Sequence, residues 1–387
     1  MNNSFSQLST NEIQRYARHI VIPEVGLEGQ LRLKASSVLL AGTGGLGSPI
    51  ALYLAAAGVG RIGLVDYDTV SISNLQRQVI HDTSHLGQLK VDSAGERLVE
   101  INPDIQIETF SEPYTSKNAE TISRGYDILV DGTDNFATRY LLNDLAVLTR
   151  KPYVYGSIFR FQGQVAVFDS RQGPCYRCLF PQPPPPESVP SCSTGGVFGV
   201  LPGTIGTLQA AEVIKLILGI GEPLIGKLLI YDALEMSFQT VLVPKNPACP
   251  VCGENPVIRQ LVDYDEFCGT PPIGTPSVLL PHELEISPHH LAERLSGGEQ
   301  ITLLDVRLPG ERLISNLPGS IPIPIDELPH RLAELNPAIP IVAYCRKGIR
   351  SARAVLFLKD IGFSKVWNLS GGINGWADEM DPDMPKY

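Results

Sequence analysis

Residues Ser37–Asp66, SVLLAGTGGLGSPIALYLAAAGVGRIGLVD, decide the fold of this chain. They order an apolar strand (Ser37–Ala41), a Gly-x-Gly-x-x-Gly turn, a helix (Ser48–Ala57) and a second strand (Arg61–Asp66). The N–H groups of such a turn and the dipole of the following helix can face a phosphate, while an acid ending the second strand can accept a ribose hydroxyl. This pattern alone supports NAD, FAD and ATP about equally. The candidate nucleotide-binding residues here are Gly42, Gly44, Gly45, Gly47 and Asp66.

Further apolar segments repeat this alternation along the chain. Short strands are expected at Gln106–Thr109, Ile128–Asp131 and Pro152–Gly156, with helical patterns between them. Strands that alternate with helices form parallel sheets covered by helices. Gln164–Phe168 and Leu228–Tyr231 are later strands that are candidates for antiparallel pairing. The predicted fold class is α/β, a Rossmann-like, mostly parallel sheet followed by a smaller α/β domain.

Composition excludes several classes of protein. A chain of 387 residues with 43% hydrophobic and 19% charged residues is globular and long enough for two domains. Its net charge of −10 repels phosphate backbones and anionic lipid, so neither nucleic acid nor membrane is an expected partner. The uncharged stretch Val38–Gly60 holds six glycines and Pro49, which argues against a membrane span. Because the start MNNSFSQLSTNEIQRY lacks a signal-peptide pattern, we expect a cytoplasmic protein.

Two proline-rich or glycine-rich segments divide the chain. Pro181–Pro190 (PQPPPPESVP) is expected to form an extended loop, and Gly269–Pro281 (GTPPIGTPSVLLP) an interdomain linker. The strand and helix pattern restarts after the linker. We therefore expect a first domain over residues 1–262, a linker over 263–281 and a second, smaller domain over 282–387.

Charged and amide side chains cluster after the second strand. The set comprises Asp66, Asp68, Ser73, Asn74, Gln76, Arg77 and Lys90. Nucleotidyl transfer needs cations on the polyphosphate and a carboxylate for magnesium, whereas a hydride site needs an apolar shelf. Asp131 and Asp134 end a later strand and add that carboxylate. The set favours nucleotidyl transfer, and a NAD-dependent oxidoreductase stays as the alternative that would leave Arg77 and Lys90 without a role.

One long run resembles a known family. LLAGTGGLGSPIALYLAAAGVGRIGLVDYDTVSISNLQRQ, Lys90 in GQLKVDSA and Asp134-Asn135 in TDN closely resemble the MoeB/ThiF adenylyltransferases, relatives of the ubiquitin-activating enzymes. The resemblance covers roughly residues 10–260. It implies an enzyme that binds ATP and Mg²⁺ and adenylates the C-terminal glycine of a small ubiquitin-like sulfur carrier of the MoaD, ThiS or Urm type.

The same resemblance implies particular roles for residues of this chain. Asp134 would act through magnesium, and Arg18 in RYARH matches an arginine that the family inserts from the partner subunit, which implies a homodimer. Arg18, Arg77, Lys90 and the magnesium ion would neutralise charge that develops on the phosphates. The residues implied to contact ATP are Gly45, Asp66, Ser73, Asn74, Leu75, Gln76, Arg77, Lys90, Asp134 and Asn135.

Four of the seven cysteines form two Cys-x-x-Cys pairs. Cys175 and Cys178 are separated by 70 residues from Cys249 and Cys252, and together they supply four thiolates for a tetrahedral zinc ion. Four sulfur ligands leave no open coordination position, so the predicted role of Zn²⁺ is structural. The resembling family also has zinc at these positions. Buried cysteines without metal and redox dithiols are the alternatives.

Two single cysteines are candidates for sulfur chemistry. Cys192 follows the proline-rich loop in SCSTGG, where the resembling family places its acyl- or persulfide-accepting cysteine. We expect Cys192 either to resolve an acyl disulfide or to hold the carrier briefly, and an incidental exposed thiol is the alternative. Cys345 ends the apolar strand IVAY and begins the loop CRKGIR. Loop amides, a helix starting near Ser351 and nearby arginines and lysine favour a thiolate or persulfide there. An inert buried cysteine is the alternative for Cys345.

The segment 282–387 resembles a single rhodanese domain. The resemblance rests on LLDVR, on the loop CRKGIR and on NLSGGINGW, and it implies that Cys345 carries a persulfide while Arg350 helps to close the loop. One departure is LISNLPGSIPIP, where many relatives have a histidine before the proline-glycine turn. The shape of the loop also resembles that of phosphatases, so a phosphate monoesterase is the minor alternative.

The two predicted domains complement each other chemically. The first makes a carboxylate electrophilic by adenylation, and the second supplies a persulfide that displaces AMP and leaves a thiocarboxylate on the carrier. The predicted partners are a sulfur carrier ending in Gly-Gly and a cysteine desulfurase or another sulfur donor. Molybdopterin cofactor synthesis is the first expectation for the pathway, and thiamine synthesis and tRNA thiolation are the alternatives.

Overall fold

The computed structural model describes residues 7–184, 196–268 and 280–387. Cys192 lies outside the described residues. The chain divides into two compact units, Met1–Thr270 and Pro271–Tyr387. This division falls inside the segment 263–281 that we predict as the linker, and the exact domain limits stay predictions.

The first unit is built on an eight-stranded sheet with the strand order β3-β2-β1-β4-β5-β6-β7-β8. Neighbours from β3 to β5 pair in parallel, and β5 to β8 pair antiparallel. The predicted α/β class is confirmed, and β6 and β7 take the antiparallel option. The strands are β1 (Ser37–Ala41), β2 (Arg61–Val65), β3 (Gln106–Phe110), β4 (Ile128–Asp131), β5 (Tyr153–Phe159), β6 (Gln162–Phe168), β7 (Lys227–Asp232) and β8 (Ser237–Leu242).

Helices cover both faces of this sheet. They are α1 (Thr10–Arg15), α2 (Ala17–Ile20), α3 (Gly26–Ala35), α4 (Gly47–Ala57), α5 (Lys90–Ile101), α6 (Ala119–Ile122), α7 (Phe136–Thr149), α8 (Tyr176–Leu179), α9 (Leu201–Leu218) and α10 (Tyr264–Phe267). Side chains of β1 alternate between two clusters: Val38 and Leu40 pack on one face of the sheet, Leu39 and Ala41 on the other. A strand that is buried on both faces is typical of a parallel sheet between helices.

Helix α9 packs on α4, β5 and β6 in the core of the first unit. Of the described helices, it alone has the length and apolar character of a membrane span, with a mean hydropathy of 1.2. Half of that stretch is buried, as in the core helix of a globular domain. Gly206 allows the close approach to α4, because a Cβ there would lie 2.6 Å from the Leu46 carbonyl oxygen.

The second unit contains a five-stranded parallel sheet with the order β11-β10-β12-β13-β9. Leu304 and Ala343 face one core cluster, and Leu303 and Val342 face the other. The strands are β9 (Glu285–Ile286), β10 (Thr302–Asp305), β11 (Ile321–Pro322), β12 (Ile341–Tyr344) and β13 (Val366–Leu369). The helices are α11 (Pro288–Ser296), α12 (Pro309–Arg312), α13 (Ile349–Asp360) and α14 (Gly372–Glu379).

Candidate active sites

A cleft of about 950 Å³ opens at the carboxyl ends of β1, β2 and β4. It lies where the chain order of the strands reverses, which is the usual ligand position in open α/β sheets. Eight candidate residues line it: Gly42, Gly44, Gly45, Asp66, Arg77, Lys90, Asp134 and Asn135. Five other candidates are not among the lining residues: Gly47, Ser73, Asn74, Leu75 and Gln76. Arg18 is exposed on α2 and is not among the lining residues.

The glycine loop is packed too closely for side chains at two positions. Gly42 has φ +88°, and a Cβ there would lie 2.8 Å from the carbonyl oxygen of Gly132. A Cβ on Gly47 would lie 2.0 Å from the carbonyl oxygen of Gly42. These glycines let β4 and the start of α4 approach the loop, which leaves the helix N-terminus facing the cleft.

Asp66 braces the glycine loop from the end of β2. Its Oδ2 accepts hydrogen bonds from the Thr43 N–H at 2.9 Å and the Thr43 hydroxyl at 3.0 Å. Its Oδ1 accepts from the Asp68 N–H at 3.0 Å. Each carboxylate oxygen has more than one acceptor site, so Asp66 at the cleft wall can also accept a hydroxyl from a ligand.

Lys90 and Arg77 supply cations to the cleft. The Lys90 side chain is 7% exposed, and its Nζ lies 2.8 Å from Oδ2 of Asp68, which is 56% exposed. Arg77 Nη1 donates to the Ser73 carbonyl at 3.0 Å. The backbone carbonyl of Ser73 therefore holds Arg77 in place, and the Asn74 side chain caps the short helical turn that begins after Ser71. These contacts fix both cations at the cleft wall, where they can attract an anionic ligand.

A buried histidine that sequence reasoning missed supports the same loop. The ring of His81 lies between the Ser93 hydroxyl, 2.9 Å from Nδ1, and the Thr43 carbonyl, 3.1 Å from Nε2. A carbonyl only accepts, so Nε2 carries the proton and Nδ1 accepts from Ser93. Burial lowers the pKa of His81. No local motif signals this role, because both partners are distant in sequence.

Asp131 differs from its expected role. It is fully buried, accepts from the Thr133 N–H and hydroxyl and from the Tyr153 hydroxyl, and does not line the cleft. Burial raises the pKa of Asp131. The expectation that it offers magnesium a carboxylate is therefore not met. Exposed Asp134 lines the cleft and carries the oxygen ligands that magnesium prefers.

Arg139 is a third cation of the cleft wall that sequence reasoning missed. Its side chain is 8% exposed, and its Nε lies 3.7 Å from Asp131 Oδ2. That Nε is buried without a hydrogen-bond partner among the described residues. Arg139 stands four residues after Asn135, on α7, so its helical spacing from the TDN motif was the available signal.

The four paired cysteines converge in the first unit. The Sγ atoms of Cys175, Cys178, Cys249 and Cys252 all lie within 4.8 Å of one another. Cys175 is 3.5 Å from Cys249, and Cys178 is 3.4 Å from Cys252. Sulfur ligands at the corners of a tetrahedron around zinc lie about 3.8 Å apart, given Zn–S bonds of about 2.3 Å. The cluster therefore fits a structural zinc ion.

A buried ion pair anchors the first cysteine knuckle. Arg177, between Cys175 and Cys178, makes a bidentate pair with Asp144 on α7 at 2.7 and 2.8 Å. The side chains are 1% and 0% exposed. The guanidinium stacks on Tyr140, and Tyr264 donates its hydroxyl to Asp144 at 2.8 Å. The pair ties the knuckle to the core of the first unit.

In the second unit, Cys345 lies directly after β12. Its side chain is buried, and its Sγ accepts from the Ser351 hydroxyl at 3.4 Å. The Cys345 carbonyl accepts from the Ile373 N–H at 2.8 Å. Gly372 permits this contact, because a Cβ there would lie 2.5 Å from that carbonyl oxygen. Loop carbonyls are thus engaged by the start of α14.

The backbone amides of the loop remain available. Arg346, Lys347 and Gly348 have no backbone hydrogen-bond acceptor for their N–H groups among the described residues. Gly348 has φ +90° and immediately precedes α13. Successive unpaired amides next to a helix N-terminus form a concavity that binds anions. Such a site suits the anionic sulfur of a persulfide.

Arg350 is fixed by a bidentate contact with Glu311 at 2.6 and 2.8 Å. Burial opposes ionisation of Glu311, but the hydrogen bonds from Arg350 prevail and its pKa is lowered. The segment with the missing histidine keeps its strand: β11 pairs with β10, and Asn316 is exposed. The local strand geometry therefore tolerates that departure.

Comparisons with known proteins agree with both units. Residues 16–251 match the ThiF family, and residues 287–379 match the rhodanese-like domain. The "Probable adenylyltransferase/sulfurtransferase MoeZ" of Mycobacterium tuberculosis is 46% identical over 99% of this chain and 97% of its own length. The "Adenylyltransferase and sulfurtransferase MOCS3" of Aedes aegypti is 44% identical over 100% of this chain and 91% of its own length.

Two further comparisons concern the first unit. The "Sulfur carrier protein adenylyltransferase" of Thermus thermophilus is 55% identical over 67% of this chain and 97% of its own length. The crystal structure of E. coli MccB with MccA-N7isoASN superposes with a TM-score of 0.57 at 23% identity, covering 63% of this chain and 76% of that one. At that identity the superposition shows the fold alone.

Proposed function

The chain belongs to the ThiF family and carries a C-terminal rhodanese-like domain, which makes it an adenylyltransferase and sulfurtransferase, and we propose that it acts on a ubiquitin-like sulfur carrier ending in Gly-Gly. The NAD-dependent oxidoreductase and the phosphate monoesterase are thereby set aside. The observation that carries the proposal is the presence, in one chain, of a cation-lined nucleotide cleft and a persulfide-type loop at Cys345.

Adenylation takes place in the cleft of the first unit. A carboxylate oxygen of the carrier attacks the α-phosphorus of ATP, the bond to the bridging oxygen breaks, and pyrophosphate leaves. Lys90 and Arg77 neutralise charge on the phosphates, and Arg18 of a second copy does the same in a homodimer. Asp134 would hold magnesium, which supplies further positive charge when bound.

Sulfur transfer starts from a persulfide on Cys345. The outer sulfur attacks the acyl carbon, the bond from that carbon to the AMP oxygen breaks, and AMP leaves. The carrier is then joined to Cys345 through an acyl disulfide. A cysteine desulfurase, or another sulfane donor, restores the persulfide in the next cycle.

Cys192 is proposed to release the product. Its thiolate attacks Cys345 Sγ, the disulfide bond breaks, and the carrier departs with its outer sulfur as a thiocarboxylate. A Cys192–Cys345 disulfide remains, and a dithiol reductant supplies the two electrons that restore both thiols.

Mass spectrometry of the carrier tests the proposal. Incubation with ATP and a sulfur donor should add about 16 Da, because sulfur replaces one oxygen of the carboxylate. The Cys345→Ala variant should keep ATP–pyrophosphate exchange and lose that mass shift, whereas Cys268→Ala should keep both. Loss of exchange in Cys345→Ala would show that the roles of the two domains are assigned wrongly.

We propose molybdopterin cofactor synthesis as the pathway. The identity of the sulfur carrier that the enzyme prefers distinguishes this pathway from the alternatives. Candidate carriers of molybdopterin synthesis, thiamine synthesis and tRNA thiolation can be compared by the rate at which each is converted to its thiocarboxylate. Preference for the thiamine or tRNA carrier would overturn the pathway and leave the reaction intact.

A further inference from the structure

Tyr387 meets the residues that flank the Cys345 loop. Its hydroxyl accepts a hydrogen bond from Arg307 Nη1 at 3.0 Å and donates to Glu311 Oε1 at 2.9 Å. The Arg346 guanidinium carbon lies 4.9 Å from the centre of its ring. The side chain is therefore held at one end by two charged groups while its face contacts a third.

These contacts join the two ends of the loop that begins at Cys345. Arg346 directly follows Cys345, and Glu311 makes the bidentate pair with Arg350, where α13 begins. Tyr387 touches Arg346 through its ring and reaches Arg350 through Glu311. One side chain from outside the loop thus restrains both of these cations.

Arg346 depends on this contact for its orientation. Its Nε is buried and has no hydrogen-bond partner among the described residues. A guanidinium over an aromatic face is attracted by the ring quadrupole, and more strongly where water is excluded. Without the ring, the guanidinium would lose the contact that fixes it beside the loop.

Arg307 holds the hydroxyl end in place. Its side chain is fully buried and paired with Asp305, and it also donates to the Ser315 carbonyl at 2.8 Å. Arg307 is therefore a rigid support for the Tyr387 hydroxyl. Burial raises the pKa of Tyr387 to about 12, so its hydroxyl keeps the proton that it donates to Glu311 at neutral pH.

We propose that Tyr387 is a positioning residue for sulfur transfer, which holds Arg346 and, through Glu311, Arg350 beside the sulfur of Cys345. The inference rests on the proposed persulfide at Cys345. Both the outer sulfur anion and an anionic sulfur donor are stabilised by fixed cations, which need no reorganisation during the reaction.

The test compares Tyr387→Phe with Tyr387→Ala in the full chain. Phenylalanine keeps the ring over Arg346 and loses the two hydroxyl contacts, whereas alanine loses both. Thiosulfate-to-cyanide sulfur transfer should fall about tenfold or more in kcat/KM for alanine, the effect of losing contacts to charged groups, and less for phenylalanine. The rate at which iodoacetate alkylates Cys345, relative to neutral iodoacetamide, should fall in the same order, because the negatively charged reagent loses fixed cations beside the loop.

Two controls accompany the variants. ATP–pyrophosphate exchange should be unchanged in both, and Tyr53→Ala, which removes a tyrosine that is 57% exposed, should change neither activity. A Tyr387→Ala variant with an unchanged ratio of the iodoacetate rate to the iodoacetamide rate would overturn the inference. The inference would also be overturned if Tyr387→Phe lost as much sulfur transfer as Tyr387→Ala and both losses followed the fall in melting temperature. Failure of the proposed function would be seen in a different experiment, because the Cys345→Ala variant would then still convert the carrier to its thiocarboxylate.

Discussion

At the scale of single residues, the glycine loop is held from two sides at Thr43. Asp66 accepts from its N–H and hydroxyl, and His81 donates to its carbonyl. All three contacts come from side chains that are remote in sequence from the loop. A nucleotide site that must present its N–H groups to phosphates gains from such bracing, because an ordered loop pays no ordering entropy on binding.

Lys90 gives the most direct test of the cleft. The Lys90→Ala variant should lose ATP–pyrophosphate exchange by a factor of about 10² or more, because a fixed cation beside the phosphates is removed. Lys117→Ala, at an exposed lysine of the same unit, is the matched control and should exchange normally. Near-normal ATP–pyrophosphate exchange by Lys90→Ala would show that Lys90 has no role in adenylation.

His81 makes stability depend on pH. Its pKa is lowered in the folded chain from an ordinary value of 6.5, so the unfolded chain binds the proton more tightly. The free energy of unfolding should therefore fall as pH drops below about 6.5, until the folded-state pKa is reached.

The His81→Gln variant should lose this contribution. Urea unfolding at pH 7.5 and pH 5.5 should show a smaller difference between the two pH values for His81→Gln than for the unsubstituted chain. His330→Gln, at an exposed histidine, should keep the full difference. An equal difference in all three proteins would mean that folding does not lower the pKa of His81.

At the scale of elements, the positions of strands β1 to β7 in the first unit could be predicted, whereas its longest described helix and β8 could not. β1, β2 and β4 are short, largely apolar runs with clear breaks, and such runs are typical of buried parallel strands. Helix α9 begins Leu-Pro-Gly and is apolar on most faces, so it lacks the 3.6-residue pattern. β8 is exposed along its length and has no buried face to mark it.

Part of the candidate site in the first unit could also be predicted from the sequence. Residues in or near the glycine motif, such as Gly45 and Asp66, carry a local signal. Arg139 and His81 reach the site from other elements, and only the packing of the sheet and helices brings them there. Tyr387 likewise has no local signal for its contact with Arg346.

The cysteine knuckle on α8 depends on the Arg177–Asp144 pair. Arg177→Ala leaves the Asp144 carboxylate buried without its cation, which should lower the free energy of unfolding by about 3–5 kcal/mol. Arg97→Ala breaks an exposed pair, with 52% and 69% exposed side chains, and should cost at most about 1 kcal/mol. Chemical denaturation of the zinc-loaded protein measures both, and equal small effects would contradict the anchoring role.

At the scale of the whole molecule, each unit has its own layers and its own reactive group. The first unit has core clusters on both faces of its sheet, and the second has two more around β10 and β12. The chemistry follows the same division, with the cleft in one unit and Cys345 in the other. One chain therefore carries the adenylyltransferase and sulfurtransferase units in a one-to-one ratio.

The position of Arg18 links the site to assembly. Arg18 is exposed on α2 and does not line the cleft of its own chain. If it serves the cleft of a second copy, Arg18→Ala and Lys90→Ala should each be inactive in ATP–pyrophosphate exchange, yet complement each other. In a mixed dimer, one site receives Arg18 from the Lys90→Ala chain and Lys90 from the Arg18→Ala chain.

Random mixing after reversible dissociation should restore about a quarter of the sites, since half of the dimers are mixed and each has one intact site. The control mixes Arg18→Ala with a double Arg18→Ala, Lys90→Ala chain, which can form no intact site. Recovery of exchange only in the first mixture requires Arg18 to act across the interface. If mass spectrometry shows mixed dimers and exchange is still not recovered, Arg18 does not act in the cleft of the partner chain.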